Sequence, residues 1–339
     1  MKLPRRQFLM AVGCATACGG CGETLPTGGA STSTAAAADS GVMRTGRALG
    51  TDVSIWACHE DRAVAVTAVQ HAFDELTRVE QVMSLYRPDS ELCRLNRHKV
   101  LHHPHPYLVE VLETALALSR RTNGAFDVTV QPLWQLYAAA QRHGRPPSAG
   151  EVAAARARVD WRRVLVSPDC IRLVGEGTEV TLNGIAQGLA ADKASAALEQ
   201  AGIRNALLST GETRALGSRL GGEAWRVGIQ HPRRERQLIA VTRLQDRCLA
   251  TSGDYATVFF GAGFERHHLF DPCTGCAATE LASVSVVATT AQQADALSTA
   301  VFVLGPVAGA RLVRETPEAE ALFVTRDARV VATAGFPLA

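Results

Sequence analysis

Asp295 and Thr299 lie four residues apart in the run Gln292-Gln293-Ala294-Asp295-Ala296-Leu297-Ser298-Thr299. On a helix this spacing puts a carboxylate and a hydroxyl on one face. The pair is a hard-oxygen set suited to Mg²⁺ once backbone carbonyls, water or phosphate oxygens complete a six-fold shell. The same spacing also describes an ordinary helix with a favourable Asp near its start and an incidental Thr. His268, in Arg266-His267-His268-Leu269-Phe270-Asp271-Pro272, could receive a hydroxyl proton beside a phosphate. Equally, one of two neighbouring histidines in a strand must face outward, and many such residues do nothing.

Val180 to Asp192 runs from a strand through the small-residue turn Asn183-Gly184-Ile185-Ala186-Gln187-Gly188 into a helix. Backbone N–H groups of such a turn can approach an anion at the helix N-terminus. The stretch has neither the lysine of a nucleotide P-loop nor the dinucleotide glycine fingerprint, and a plain strand-to-helix turn accounts for it as well. Leu249 to Tyr255 reads as a polar turn between apolar runs. Cys273 and Cys276 have redox or metal spacing but no second such pair, so they read as a turn carrying two cysteines, free or bridged.

The elements that must hold these residues follow from periodicity. Ala48 to Trp56 alternates as a strand. Arg62 to Ser84 spaces Val64, Val66, Val69, Phe73, Leu76, Val79 and Val82 as an amphipathic helix. Pro106 to Thr122 predicts a second helix, stopped by Asn123-Gly124. Short β-rich runs follow at 163–166, 171–174, 206–209, 224–229 and 238–241, with helices among and after them at 188–201 and 291–303. Tyr137 to Val159 reads as helical surface without chemistry. Hairpin-like strand pairs with intervening helices and no fixed repeat predict an α+β fold.

Composition narrows the function classes. The chain has 339 residues, 47% of them hydrophobic, enough for a sizeable core. Its 35 Lys and Arg against 33 Asp and Glu, scattered throughout, leave no basic field for nucleic acid. Residues 1–20, with Arg5-Arg6 before a short apolar run, read as a twin-arginine export signal. That run is too short to span a bilayer. Ala15-Thr16-Ala17 precedes Cys18, so the leader is either cleaved or lipid-anchored at Cys18. Residues 21–42, rich in Gly, Ser, Thr and Ala, read as a flexible linker, and 43–339 as the folded unit.

In their order along the chain these blocks resemble the ApbE flavin transferases. The resemblance runs from Leu49-Gly50-Thr51 through Met83 to Leu92, Gly124-Ala125-Phe126-Asp127-Val128-Thr129 and the Thr181 to Asp192 turn. It continues through Trp225 to Ile229, Ala250 to Tyr255, His268-Leu269-Phe270-Asp271-Pro272 and the Ala294 to Gly305 helix. It implies a single compact α+β catalytic unit of mixed sheets with packed helices. It implies a periplasmic or inner-membrane-tethered enzyme that needs Mg²⁺, cuts FAD, releases AMP, and attaches FMN to a Thr or Ser of a redox protein. The acceptor would be a flavoprotein subunit of a membrane respiratory or electron-transport complex. By the same resemblance Asp295 and Thr299 would hold the metal with main-chain oxygen from Gly184 and Gln292. Leu49, Tyr86, Ala125, Phe126, Asp127, Thr181 and Gln187 would contact FAD, and His268 would receive the acceptor proton.

The chain departs from the family pattern at two places. Thr181 and Gln187 stand where relatives commonly have Asp and Lys, and Glu212 replaces a glycine in Ser209-Thr210-Gly211-Glu212. The same residues would equally serve a Mg²⁺-dependent FAD pyrophosphatase, and the altered turn would suit a non-catalytic exported FAD-binding protein.

Overall fold

The computed structural model describes residues 41–261 and 264–339; the export signal, Cys18 and the linker up to residue 40 lie outside them. Strand β1 (Gly41–Ala48) pairs with β2 (Thr51–Cys58) in register Ala48↔Thr51. Their two-residue turn is Leu49-Gly50, both with positive φ (52° and 77°), as a tight hairpin requires. The first described strand thus begins two residues before Met43, and the single strand expected over 48–56 is two strands joined at Leu49.

Helix α1 (Arg62–Met83) is capped by Asp61, which accepts from the Ala63 N–H at 2.8 Å. Val69, Phe73, Leu76, Val79 and Val82 are buried as expected, but Val66 is exposed; Ala65, Ala68 and Ala72 turn inward instead, where small side chains let α1 pack against a later helix. Then come α2 (Glu91–His98), β3 (Val100–His102) and α3 (Pro106–Arg121), the last closed by Asn123 and Gly124 at positive φ. α4 (Gln131–His143) and α5 (Ala149–Arg156) occupy the stretch read as surface. Instead, Tyr137, Ala138 and Ala155 are buried in an aromatic cluster with Phe259 and Phe270. β4 (Val164–Val166) and β5 (Cys170–Leu173) complete a small sheet with β3.

α6 (Ala186–Gln200) leads into β6 (Asn205–Ser209), β7 (Thr213–Leu216) and the ribbon β8 (Trp225–His231) and β9 (Arg234–Leu244). β10 (Cys248–Gly253) covers most of the segment read as a turn. Its Ser252, polar and buried, is satisfied by Ser298 at 2.8 Å, which is why a polar run can form a central strand. Two hairpins follow, β11 (Val258–Gly261) with β12 (Phe264–His267), and β13 (Phe270–Asp271) with β14 (Cys276–Ala277). The chain ends with β15 (Leu281–Ala288), α7 (Ala291–Arg314), β16 (Glu320–Thr325) and β17 (Val330–Ala332). α7 breaks at Gly305, whose φ of 75° and ψ of 179° interrupt the helix before Pro306.

The main sheet runs β1-β2-β6-β7-β10-β15-β16-β17. Its core face carries α1, α6 and α7; its other face packs Leu207, Leu249 and Leu322 against Trp225 and Ile229 of the β8–β9 ribbon and Phe336. Buried on both faces, β15 reads as an unbroken apolar and small-residue run.

One long-range contact fixes α7. Asp192 of α6 accepts from the N–H groups of Ala291 (2.8 Å) and Gln292 (2.9 Å), two of the orphan donors of the α7 first turn, while Thr290 caps the Gln293 N–H. Burial pushes its pKa up, and these two bonds oppose that. Asp192→Ala should cost about 2–3 kcal/mol in urea unfolding, since two buried donors lose a charged acceptor. Asn, keeping one acceptor, should recover part of it; an Ala variant as stable as wild type contradicts the cap.

Candidate functional site

A cavity of about 90 Å³ opens where the Thr181–Gln187 turn, β10, α7 and the segment after β12 converge. Asp295, 5% exposed, projects from the second turn of α7 and accepts from the Gly188 N–H through Oδ2 at 3.0 Å. Thr299 lies one turn on, with its Oγ1 3.4 Å from Ser252 Oγ. Gly184 presents bare backbone to that hydroxyl: a Cβ there would stand 2.8 Å from Thr299 Oγ1. Asp295, Thr299, Gly184 and Ser252 all line the cavity. This donor set of one carboxylate, hydroxyls and main-chain oxygen fits a hard cation such as Mg²⁺ and offers nothing to a thiophilic one.

His268 lines the same cavity from the bend after β12. Its Nδ1 lies 3.2 Å from the Thr257 carbonyl oxygen, which can only accept, so Nδ1 carries the proton and the lone pair of the neutral ring falls on Nε2. His267, 4% exposed, is the structural partner: Nε2 donates to the Ala278 carbonyl at 2.7 Å, and burial pushes its pKa down. Adjacent histidines that the sequence leaves equivalent are thus split into a buried neutral one and a cavity-facing one.

The remaining expected residues divide. Ala125, Phe126, Asp127, Thr181 and Gln187 line the cavity, Gln187 packing over Gly211. Leu49, at the β1–β2 hairpin tip, and Tyr86, exposed after α1, lie outside its lining. Gln292 also lies outside the lining: its side chain is buried at the start of α7, and its N–H is bonded to Asp192. Asp127, besides lining the cavity, is held within its own turn and to Trp161. Oδ1 accepts from Thr129 N–H (2.7 Å) and Thr129 Oγ1 (2.6 Å), and Oδ2 accepts from Trp161 N–H (3.0 Å). It therefore buckles the Ala125–Val130 turn to Trp161.

Burial raises the Asp127 pKa from 3.8 to about 6, partly offset by those bonds. Between these values the folded chain holds a proton that the unfolded chain has released, so this group's contribution to stability is present below about pH 4 and lost as pH rises towards about 6. The expected result is that the unfolding free energy of wild type, relative to Asp127→Asn, falls by up to about 3 kcal/mol across that window. A difference flat with pH in parallel urea titrations contradicts it.

Sequence reasoning did not single out Trp134, Ser298 or Asp192. Trp134 lines the cavity and meets Phe259 edge-on. Ser298 holds Ser252 and accepts nothing from the metal-type pair directly; it donates to the Asp295 carbonyl at 2.9 Å. Glu212, noted as a departure, is 4% exposed and lines the cavity.

The ApbE family model matches residues 49–323. A FAD:protein FMN transferase of Treponema pallidum is 33% identical over 291 residues, covering 79% of this chain and 80% of its own. One from Klebsiella pneumoniae is 33% identical over 300 residues, 84% of each. Among solved structures, the ApbE protein of Thermotoga maritima superposes with a TM-score of 0.79 at 28% identity, over 87% of this chain and 97% of that one. The flavin transferase ApbE of Vibrio cholerae gives 0.75 at 28% identity, over 87% and 98%.

Proposed function

The chain belongs to the ApbE family, and on that footing we propose that it is a magnesium-dependent FAD:protein FMN transferase. The observation that carries the reading is the meeting of Asp295, Thr299 and bare Gly184 backbone with His268 in one cavity. Asp295, Thr299 and main-chain oxygen of Gly184 would hold Mg²⁺, which supplies charge neutralisation at the pyrophosphate of FAD.

The chain's own groups account for the remaining work. The FAD pyrophosphate and the acceptor hydroxyl would meet in the cavity between Asp295, Thr299 and His268. The acceptor Ser or Thr oxygen attacks the FMN phosphorus, the bond from that phosphorus to the AMP phosphate oxygen breaks, and AMP leaves. The hydroxyl proton passes to His268 Nε2, the ring held by its Nδ1–H bond to Thr257. Trp134 and Leu269 wall the cavity with apolar surface, which strengthens charge interactions inside it. On the reading of Arg5-Arg6 as a twin-arginine leader, cleaved or lipid-anchored at Cys18, the enzyme would be periplasmic or tethered to the inner membrane, with a subunit of a membrane redox complex as its acceptor.

The test is incubation of the purified protein with FAD, Mg²⁺ and candidate acceptor domains, following AMP release and acceptor mass. One FMN mass gained per AMP released is expected; AMP with free FMN alone overturns transfer in favour of hydrolysis, and FAD bound indefinitely without AMP overturns catalysis. His268→Ala should lower transfer by about a hundredfold or more. It should leave Mg²⁺-dependent FAD binding in place, because the metal-type donors are on other elements; loss of both by equilibrium dialysis would contradict the proton role.

A further inference from the structure

Beyond the cavity lies a cleft of about 830 Å³, joined to it at Glu212 and Thr251, which line both. The two histidines stand on either side of the junction, His268 in the cavity and His267 in the cleft. A space of this size takes a ligand of several residues. Two features of the lining say what kind.

The first is a strand edge. β10 lines the cleft with Leu249, Thr251 and Gly253, every second residue, as a sheet face does. β8 lines it with Val227 to His231, five consecutive residues, as a strand edge does. β8 pairs with β9 on one side only, and among the described residues no strand pairs with its other side. The far edge of β9, by contrast, is covered by the chain's own terminus, Arg243 N–H donating to the Pro337 carbonyl and Ala339 N–H to the Val241 carbonyl, both at 2.8 Å. An uncovered edge facing a cleft is a template for an added strand.

The second feature is charge. Arg233, Arg236, Arg266 and Arg326 line the cleft against Glu212, Glu235 and Asp254. Asp254 is already shared, bound by both Arg233 nitrogens at 2.6 and 2.7 Å and by Arg326 at 3.5 Å. Arg236 enters no ion pair among the described residues, and the cleft keeps a positive excess.

On the transferase reading above, we infer that the acceptor protein enters this cleft as an extended segment added to the free edge of β8, with acidic side chains beside its Ser or Thr facing Arg236. The segment runs over the β10 face and delivers its hydroxyl past Thr251 and Glu212 to His268. Backbone pairing makes the site tolerant of side-chain identity; Arg236 selects the charge.

Three labelled twelve-residue peptides test this by fluorescence anisotropy on the full chain without FAD, so that binding is read apart from turnover. Each has one central Thr among Gly and Ala: one with three flanking Asp, one with three Lys, and one Asp peptide N-methylated at alternate residues. The Asp peptide should bind at least about tenfold more tightly than either other, the methylated one losing its donors to the β8 edge. Arg236→Glu should cut the Asp-over-Lys preference to about threefold or less. Equal affinity for all three peptides, no binding by any, or a preference indifferent to Arg236→Glu overturns the docking proposal. A wild-type protein that binds the Asp peptide yet never forms AMP from FAD sinks the transferase reading and leaves the docking site standing.

Discussion

Asp295→Asn should lower Mg²⁺-dependent AMP release from FAD by at least about a thousandfold, because a metal that Asp295 would hold would supply several kcal/mol of transition-state charge stabilisation. Asn is the informative substitution. Its side-chain oxygen can still accept from the Gly188 N–H, the bond that Asp295 Oδ2 makes at 3.0 Å, so the α6–α7 contact survives while the charge is lost. Thermal unfolding should accordingly stay near wild type without metal, whereas the upward shift expected when Mg²⁺ is added to the wild type should be absent. Activity retained in the Asn variant would remove Asp295 from the metal-type set. Activity lost together with a lower melting temperature in metal-free buffer would make it a structural residue.

Gly188→Ala should be the most damaging single-methyl change in the site. A Cβ at Gly188 would lie 2.3 Å from the Ala291 carbonyl oxygen and 2.6 Å from the Gln292 Cα, all backbone, with no flexible side chain to give way. Helix propensity alone would favour Ala by about 1 kcal/mol. The contact outweighs it: forcing the two helices apart should cost about 3 kcal/mol or more net of that gain. The same displacement pulls the Gly188 N–H from Asp295 and shifts Asp295 and Thr299 away from Gly184. Differential scanning calorimetry should show a clear fall in melting temperature, and AMP release should fall well beyond what the unfolded fraction explains. An Ala variant with wild-type melting and turnover would mean that α6 and α7 do not approach as described.

These effects show how differently the parts of the site are written in the chain. The helix bearing Asp295 and Thr299 was legible because both residues sit on one continuous helix, where a four-residue spacing is itself a geometry. The α1 and α3 boundaries were legible for the same local reason: Asp61 caps its own helix, and Asn123-Gly124 adopts the positive φ that stops one. The order of blocks from Leu49 to Gly305 carried the family, and with it most of the cavity lining. β10 was misread because its polar Thr251 and Ser252 are satisfied by residues about forty positions away, Ser285 and Ser298, and nothing in the segment itself announces them.

What the sequence determined by itself, then, was whatever neighbouring residues decide among themselves: helix faces, helix stops and the residue types available for hard-oxygen and proton chemistry. Only the tertiary structure decided which of His267 and His268 faces the cavity, that Asp192 caps α7 from another helix, that Asp127 is a buckle, and that Gln292 lies outside the cavity lining. Each of those outcomes depends on one polar group meeting another across long stretches of chain. Such a meeting leaves no periodic trace in either segment, and it is chosen by the packing of α6, α7 and the sheet, since a buried donor or acceptor must find its partner wherever the fold puts one.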